Sequence, residues 1–336
     1  MHAGNSYKFK EFIFWTRRNI YSLLVIGIIP TFLYQYMGFK WVAIPWTVVA
    51  LLGTATAFIV GFKNTQTYSR TWEARQIWGS ILNSSRSWGL WCRDFIEDDK
   101  TSSKLLIYRH FAWLTALRYQ MRDSRIWETT TKPYNAEFMN FYTIPERTIP
   151  LEDELKKYLD EHELKYILNT KNRAVQIIGL QSATLKELYE LKKIDQLQFV
   201  EMEKLLKEFY DHQGRSERIK NFPYPRQFAT INAFFVKLFC LLLPFGMLIE
   251  FDKLNLAMEG MMKGHMVWLV IPFSVLISWV YTSLEQVGES TENPFEGSAN
   301  DVPISQMSRT IEIDLREMLG ETDLPPAMTA TNNIIL

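Results

Sequence analysis

Five histidines, two cysteines and 37 acidic side chains are the groups in this 336-residue chain with which hydrolytic, redox or metal chemistry would have to begin. Their spacing does not assemble such a site. His2, His110, His162, His212 and His265 are scattered, with no pair at a metal-ligand interval. His110 stands in a run of helical period with Leu106, Trp113, Leu114 and Leu117, where a buried, hydrogen-bonded histidine is expected rather than a base. Cys92 and Cys240 are too few for a disulfide framework, and Cys240 sits in an apolar run as a small hydrophobe. No dinucleotide glycine motif, P-loop, zinc-protease helix or nucleophile elbow occurs. The acid runs Glu97-Asp98-Asp99 and Glu152-Asp153-Glu154 read as helix caps or surface. No metal, no cofactor and no enzyme is expected.

What remains is chemistry done by position in a membrane. Lys plus Arg equals Asp plus Glu, 37 against 37, so the formal net charge is zero. That excludes the basic balance of a nucleic-acid binder and the acidity of a solvating tail. Aromatics are abundant, with Phe 22, Tyr 15 and Trp 11. The mean hydropathy of −0.11 averages over a split between charged stretches and two nearly uncharged blocks. Asn19 to Phe39 and Trp41 to Phe62 carry no ionisable charge and are joined by a short turn at Lys40. Phe228 to Ile249 contains one charge, Lys237, which would snorkel or face a partner helix; His265 to Leu284 contains none beyond a protonated histidine. Each run reaches the roughly 20 helical residues needed to cross a hydrocarbon core. Four spans in two antiparallel hairpins follow. Pro30 and Pro45 do not veto them, because neighbouring helices satisfy freed carbonyls. A signal peptide is not expected for the first run, because its apolar core is too long, no small-residue cleavage site follows, and a second span comes directly behind it.

Lysine and arginine set the orientation. Lys8, Lys10, Arg17 and Arg18 precede the first span, Lys63, Arg70 and Arg75 follow the second, and Arg215, Arg218, Lys220 and Arg226 precede the third. Both termini and the long middle therefore face the cytoplasm. The expected organisation is a cytoplasmic N-terminal segment (1–18), a hairpin (19–62), a cytoplasmic helical region (63–226), a second hairpin (227–284) and a cytoplasmic tail (285–336). Within the middle region, helices are predicted over Thr71 to Trp91, Leu105 to Met121, Leu151 to Leu168, Asn172 to Leu191, and Asp195 to His212 with an end near Gly214. Pro133, Pro145 and Pro150 mark an irregular connection, and one further helix is predicted over Ile304 to Leu319 in the tail.

The segment after the second span is the most distinctive: Gly61-Phe62-Lys63-Asn64, then Tyr68-Ser69-Arg70-Thr71-Trp72-Glu73-Ala74-Arg75, then Ile77-Trp78-Gly79. It resembles the bestrophin family, whose prokaryotic members carry G-F-[RK]-N, Y-x-R-W-W-E-A-R and W-G at this place. Arg109-His110-Phe111-Ala112-Trp113, Glu217-Arg218-Ile219 with Pro223-Tyr224-Pro225, and Glu292-Asn293-Pro294-Phe295 with Asn300-Asp301-Val302-Pro303 extend the likeness in order over roughly residues 10–320. Thr71 departs from it, where the family has tryptophan.

The resemblance implies an all-α membrane protein of four spans with a large cytoplasmic helical part. Five copies would surround one pore that passes small monovalent ions across a bacterial inner membrane. It implies that Thr54, Phe58 and Phe62, four apart on one helix face, line a narrow neck gated by dewetting. Thr54 departs from the family's aliphatic residue, and its hydroxyl should shorten the dry stretch. Thr47, Thr54 and Gln66 would face lipid in an isolated subunit, which a ring avoids. A second constriction is expected at Ile194, with Leu191 nearly as suitable. Glu73 would either attract cations at the vestibule mouth or pair with Arg70 or Arg75, the pair being the favoured role. The calcium cluster of animal members shrinks here to Glu296 and Asp301, so calcium activation of that kind is not expected; Asn300 or Asp301 would cap a helix. Sequence leaves anion against cation selectivity open. The competing reading is a membrane-anchored helical scaffold or signalling protein without conductance.

Overall fold

From Trp46, directly after Pro45, one helix runs unbroken to Asp94 (α2, Trp46–Asp94). No proline interrupts those 49 residues, and at 1.5 Å per residue they extend about 74 Å, more than twice a hydrocarbon core. The second span and the helix predicted over Thr71 to Trp91 are thus a single rod. Residues 1–96 and 99–336 are described in this computed structural model; Glu97 and Asp98 lie outside them. Asp99 does act as a cap, accepting from the Ser102 backbone N–H at 3.0 Å and the Ser102 hydroxyl at 2.6 Å.

Among the described residues, four helices are long and apolar enough to cross a membrane: α1 (Phe9–Gln35), the first half of α2, α10 (Arg226–Leu254), and α11 (Val270–Ser290) with the 3-10 turn before it. α10 and α11 pack on each other and on α2, and α1 packs on α11 and α10. The bundle therefore has α2 on one side and α1 on the other. Glycines set the closest approach. A Cβ at Gly53 would meet the Phe239 ring at 2.7 Å, and one at Gly246 would meet Val49 at 2.7 Å. Small residues let α2 and α10 touch where no hydrophobic force between helices operates.

The charged half is built on the far end of α2. α3 (Lys100–Arg122), α9 (Gln196–Asn221) and α12 (Ile304–Met318) pack on it, and α8 (Arg173–Glu190) packs on α3 and α9. Short helices α4 to α7 (Pro133–Met139, Pro145–Thr148, Leu151–Leu155, Glu161–Leu168) fill the proline-rich connection. Their shared core holds Trp78, Trp88, Trp113 and Phe209, all fully buried. His110 is buried among them, its Nε2 2.8 Å from the Ser85 hydroxyl, and burial lowers its pKa to about 3. Among the described residues no strand forms; only isolated bridges join His2 to Ile334 and Thr331 to Ile334.

Three predicted boundaries need correction. Leu151 to Leu168 is two helices, because Asp160 caps α7 by accepting from the Glu163 N–H at 2.8 Å. α9 runs through Gly214, where a Cβ would meet nothing, and stops only before Phe222-Pro223. Neither Asn300 nor Asp301 caps α12, whose N-cap position is Pro303.

Candidate functional site

The first half of α2 buries one face against α10 and α11 and leaves the opposite face uncovered. Thr47, Leu51, Thr54, Phe58, Phe62, Gln66 and Ser69 are all exposed at steps of three or four residues, so they form one stripe along the rod. Phe58 is 68% exposed and Phe62 55%. Their rings meet edge to face, centroids 4.6 Å apart at 84°. The Thr54 hydroxyl donates to the Ala50 carbonyl at 3.0 Å, which leaves its oxygen lone pairs on the exposed face. Gln66 accepts from the Tyr224 hydroxyl at 3.0 Å.

The next residue, Lys63, points the other way. It is buried and pairs with Glu285 at 2.7 Å, with Glu292 at 3.9 Å. Glu285 also accepts from Asn232 of α10, and Glu292 pairs with Arg226. This polar cluster behind the stripe ties three spans together at one level. A buried charge is retained only when it is paired and hydrogen-bonded, which fixes the rotation of α2 about its axis. Sequence reasoning missed Glu285, although it is the first charge after the last uncharged run.

Farther down α2, Arg70 donates to the carbonyls of Ile219 (3.1 Å), Phe222 (2.7 Å) and Glu292 (3.2 Å). Glu73 pairs with Arg218 at 2.6 Å and not with Arg70 or Arg75. The ion pair expected for Glu73 exists, with a partner from α9 that only folding brings near.

Ile194 is misplaced as an aperture residue. It is 3% exposed and belongs to the subunit's own core. Local chemistry turns it inward. α8 ends in a Schellman motif: Lys192 takes φ +60, its N–H bonds Tyr189, and the Lys193 N–H bonds Leu188. Asp195 then caps α9 with a reciprocal bond to Gln198, so Ile194 occupies the position whose side chain staples against Phe199. The exposed apolar residues at this turn are Leu191, 67%, and Leu197, 69%.

Glu296 and Asp301 do not suit calcium. Glu296 is fully buried and accepts from the Thr129 N–H (2.9 Å) and hydroxyl (2.8 Å); burial raises its pKa to about 8. Asp301 accepts the N–H groups of Phe295 (2.8 Å), Gly297 (2.7 Å) and Val302 (2.7 Å) and pairs with Arg122 at 2.7 Å. Donors fill both carboxylates, whereas calcium needs six to eight free oxygens. Asp301 instead holds the 293–301 loop closed around Arg122.

The profile of a family described as Bacterial/Fungal Bestrophin protein matches residues 18–317. The chain is 28% identical over 305 residues to the voltage-dependent anion channel-forming protein YneE of Salmonella typhi, covering 90% of this chain and 85% of that one. It is 26% identical over 307 residues to YneE of Escherichia coli (strain K12), covering 91% and 86%. The fold is similar to the crystal structure of a bacterial bestrophin homologue from Klebsiella pneumoniae, with a TM-score of 0.74, 25% identity, and coverage of 92% of this chain and 99% of that one. The named relatives are channel-forming proteins, not enzymes.

Proposed function

The chain belongs to the bacterial and fungal bestrophin family, and on that premise we propose that it is an ion channel: five copies form a ring whose pore is lined by α2 and passes small monovalent anions. The observation that carries this reading is the uncovered stripe on α2. A lone subunit would leave Thr47, Thr54 and Gln66 against lipid beside two exposed phenylalanines. Polar groups facing hydrocarbon are costly; a ring turns the same stripe onto water and stacks Phe58 and Phe62 as successive apolar collars. Ions crossing those collars must shed water, so the neck gates by wetting and drying. Thr54 offers oxygen lone pairs at the outer end, and the dry stretch shortens to the two phenylalanines. The relatives named as anion channels support the sign of the permeant ion. A ring carbon–hydrogen edge, the positive part of the quadrupole, is a surface an anion tolerates.

The cytoplasmic placement of both termini agrees with their pairing. Ala3 N–H bonds the Asn333 carbonyl at 2.6 Å and Ile335 N–H bonds the Met1 carbonyl at 2.9 Å, so the two ends lie on one side of the membrane. The region 63–226 forms the inner vestibule in this reading, and Leu191, being exposed, replaces Ile194 as the aperture residue. The protein resides in a bacterial inner membrane and opens without calcium at the 293–301 loop. Purified protein in planar bilayers under a potassium chloride gradient tests the whole. A reversal potential near the chloride equilibrium value is expected. No conductance, from protein shown by native mass spectrometry to be a ring, would leave only the scaffold reading.

A further inference from the structure

A cleft of about 580 Å³ opens between α1 and α10 and is floored by α11. Along the chain directions its two ends differ. One end is apolar, with Leu23 and Ile26 from α1 and Leu241 from α10. The other end is polar, with Asn19 and Ser22 from α1, Glu285, Gln286 and Glu289 from α11, and Lys132 at the rim. Most of that polar lining is internally matched. Glu285 takes Lys63 and Asn232. Glu289 takes Lys132 and the Tyr134 hydroxyl. The Asn19 amide donates to Gln286 at 3.1 Å.

Lys237 is the exception. It lines the cleft and is exposed, and it has no ion-pair or hydrogen-bond partner among the described residues. It stands five residues beyond Asn232, about 7.5 Å farther into the bilayer, on a helix whose other neighbours there are apolar. Lipid tails cannot satisfy an ammonium at that depth. Its flexible stem lets the charge reach back toward the polar end of the cleft, where Ser22 lies on the facing wall with its hydroxyl donating to the Arg18 carbonyl at 3.1 Å.

We propose that this cleft holds one anionic glycerophospholipid per chain, taken from the leaflet on the side of the charged helical half. The phosphodiester sits on Lys237, with the Ser22 hydroxyl turning to it from the Arg18 carbonyl, and the acyl chains run over Leu23, Ile26 and Leu241. The charge count selects the ligand: one unmatched positive side chain takes one negative headgroup. A zwitterionic headgroup would bring an ammonium to a rim where Glu289 already holds Lys132 and Tyr134. The helix arrangement makes the site accessible to lipid, because α1 lies across α10 and α11 from the α2 stripe. Only in taking the α1 side as the lipid-facing side does this inference rest on the ring reading. Head-group capture at this point would wedge α1 away from α10, one of the two helices that brace α2 from behind.

Native mass spectrometry of the lipid-depleted, full-length oligomer measures the site directly, with phosphatidylglycerol and phosphatidylethanolamine of identical chains as probes. The native protein should retain one phosphatidylglycerol per chain about tenfold more tightly than phosphatidylethanolamine, the scale of one charge-assisted hydrogen bond. Lys237→Met should level the two lipids and Lys237→Arg should keep the preference. Ala233→Phe, which fills the cleft wall with the charge in place, should lower retention of both, and it carries the test if Lys237→Met does not fold. Equal retention of both lipids by the native protein overturns the proposal. So does an undiminished preference in Lys237→Met. A Lys237→Met protein that keeps its fold but falls apart into subunits would mean that a second copy covers the cleft, which also overturns it. The channel reading fails separately: a protein that keeps the lipid preference but conducts nothing loses the pore alone.

Discussion

Truncating the two stripe phenylalanines separates a pore collar from a packing residue. A fully buried phenylalanine cut to alanine costs about 3–5 kcal/mol. Phe58 and Phe62 are 68% and 55% exposed in their own chain. Scaling by the buried share gives about 1–1.5 kcal/mol for Phe58→Ala and about 1.5–2 kcal/mol for Phe62→Ala. Losing their edge-to-face contact adds about 0.5–1.5 kcal/mol to whichever is cut first, so the double variant should cost less than the sum. Phe209→Ala, in the core with 0% exposure, should show the full 3–5 kcal/mol and serves as the reference. On function the order reverses. Phe58→Ala and Phe62→Ala widen the collars and admit water, so single-channel current rises and closures become rarer. Thr54→Ile does the opposite by extending the dry stretch one helical turn, about 5.4 Å. Single-channel recording and thermal unfolding are run on the same preparations. Unchanged current in all three variants, in folded oligomers, refutes the reasoning. A stability loss matching Phe209→Ala, with no gain in current, refutes it equally.

At the turn between α8 and α9, Leu191→Ala should change conductance with little loss of stability if the proposed aperture lies there, while Ile194→Ala should cost about 2–5 kcal/mol and leave conductance alone; paired recordings and melts distinguish them. Glu296 is raised from 4.5 to about 8 by burial, so the native state binds its proton more tightly than the unfolded chain. Stability from this group is complete below pH 4.5 and is lost as pH rises toward 8; Glu296→Gln should flatten that limb of a melting-temperature profile. His110 acts at the other end. Its pKa falls from 6.5 to about 3, so stability present above pH 6.5 is lost as acid protonates the unfolded chain alone, and the same profile should decline below 6.5. Asp301→Asn strips Arg122 of its 2.7 Å partner inside the core. A loss of about 3–5 kcal/mol is expected, with faster proteolysis of the 293–301 loop and part of the stability regained in Arg122→Met/Asp301→Asn.

Which features were legible in sequence follows from how far apart the deciding residues lie. The four candidate spans are local statements about 20-residue windows, and hydropathy states them without ambiguity. Asp99 as a cap needed only the serine three residues on. The break between α6 and α7 is equally local, since Asp160 and Glu163 form a helix-start signal inside an apolar run whose period masks it. Continuity of α2 is harder to read, because Gly61 and Gly79 look like punctuation, yet neither meets an obstacle that would end a helix. Ile194 shows the limit. Its apolar type at a hairpin tip suits an aperture, but a Schellman turn at Lys192 and a cap at Asp195 rotate it into the core, and the neighbouring Leu191 is left outside.

By itself the sequence determined the four candidate spans, the helical charged half, and the ordered motifs of the family. All of these depend on composition and spacing along the chain. Only the tertiary structure decided which face of α2 is free. Lys63 must find Glu285, 222 residues away, and Gly53 must meet Phe239 before Phe58 and Phe62 are turned outward. The same distance hid Arg218 as the partner of Glu73, the locked state of Asp301, and the lack of any partner for the Lys237 ammonium among the described residues. A charge in a span is visible in any sequence. Whether anything in the fold answers it depends on residues that the chain brings near only when it is packed.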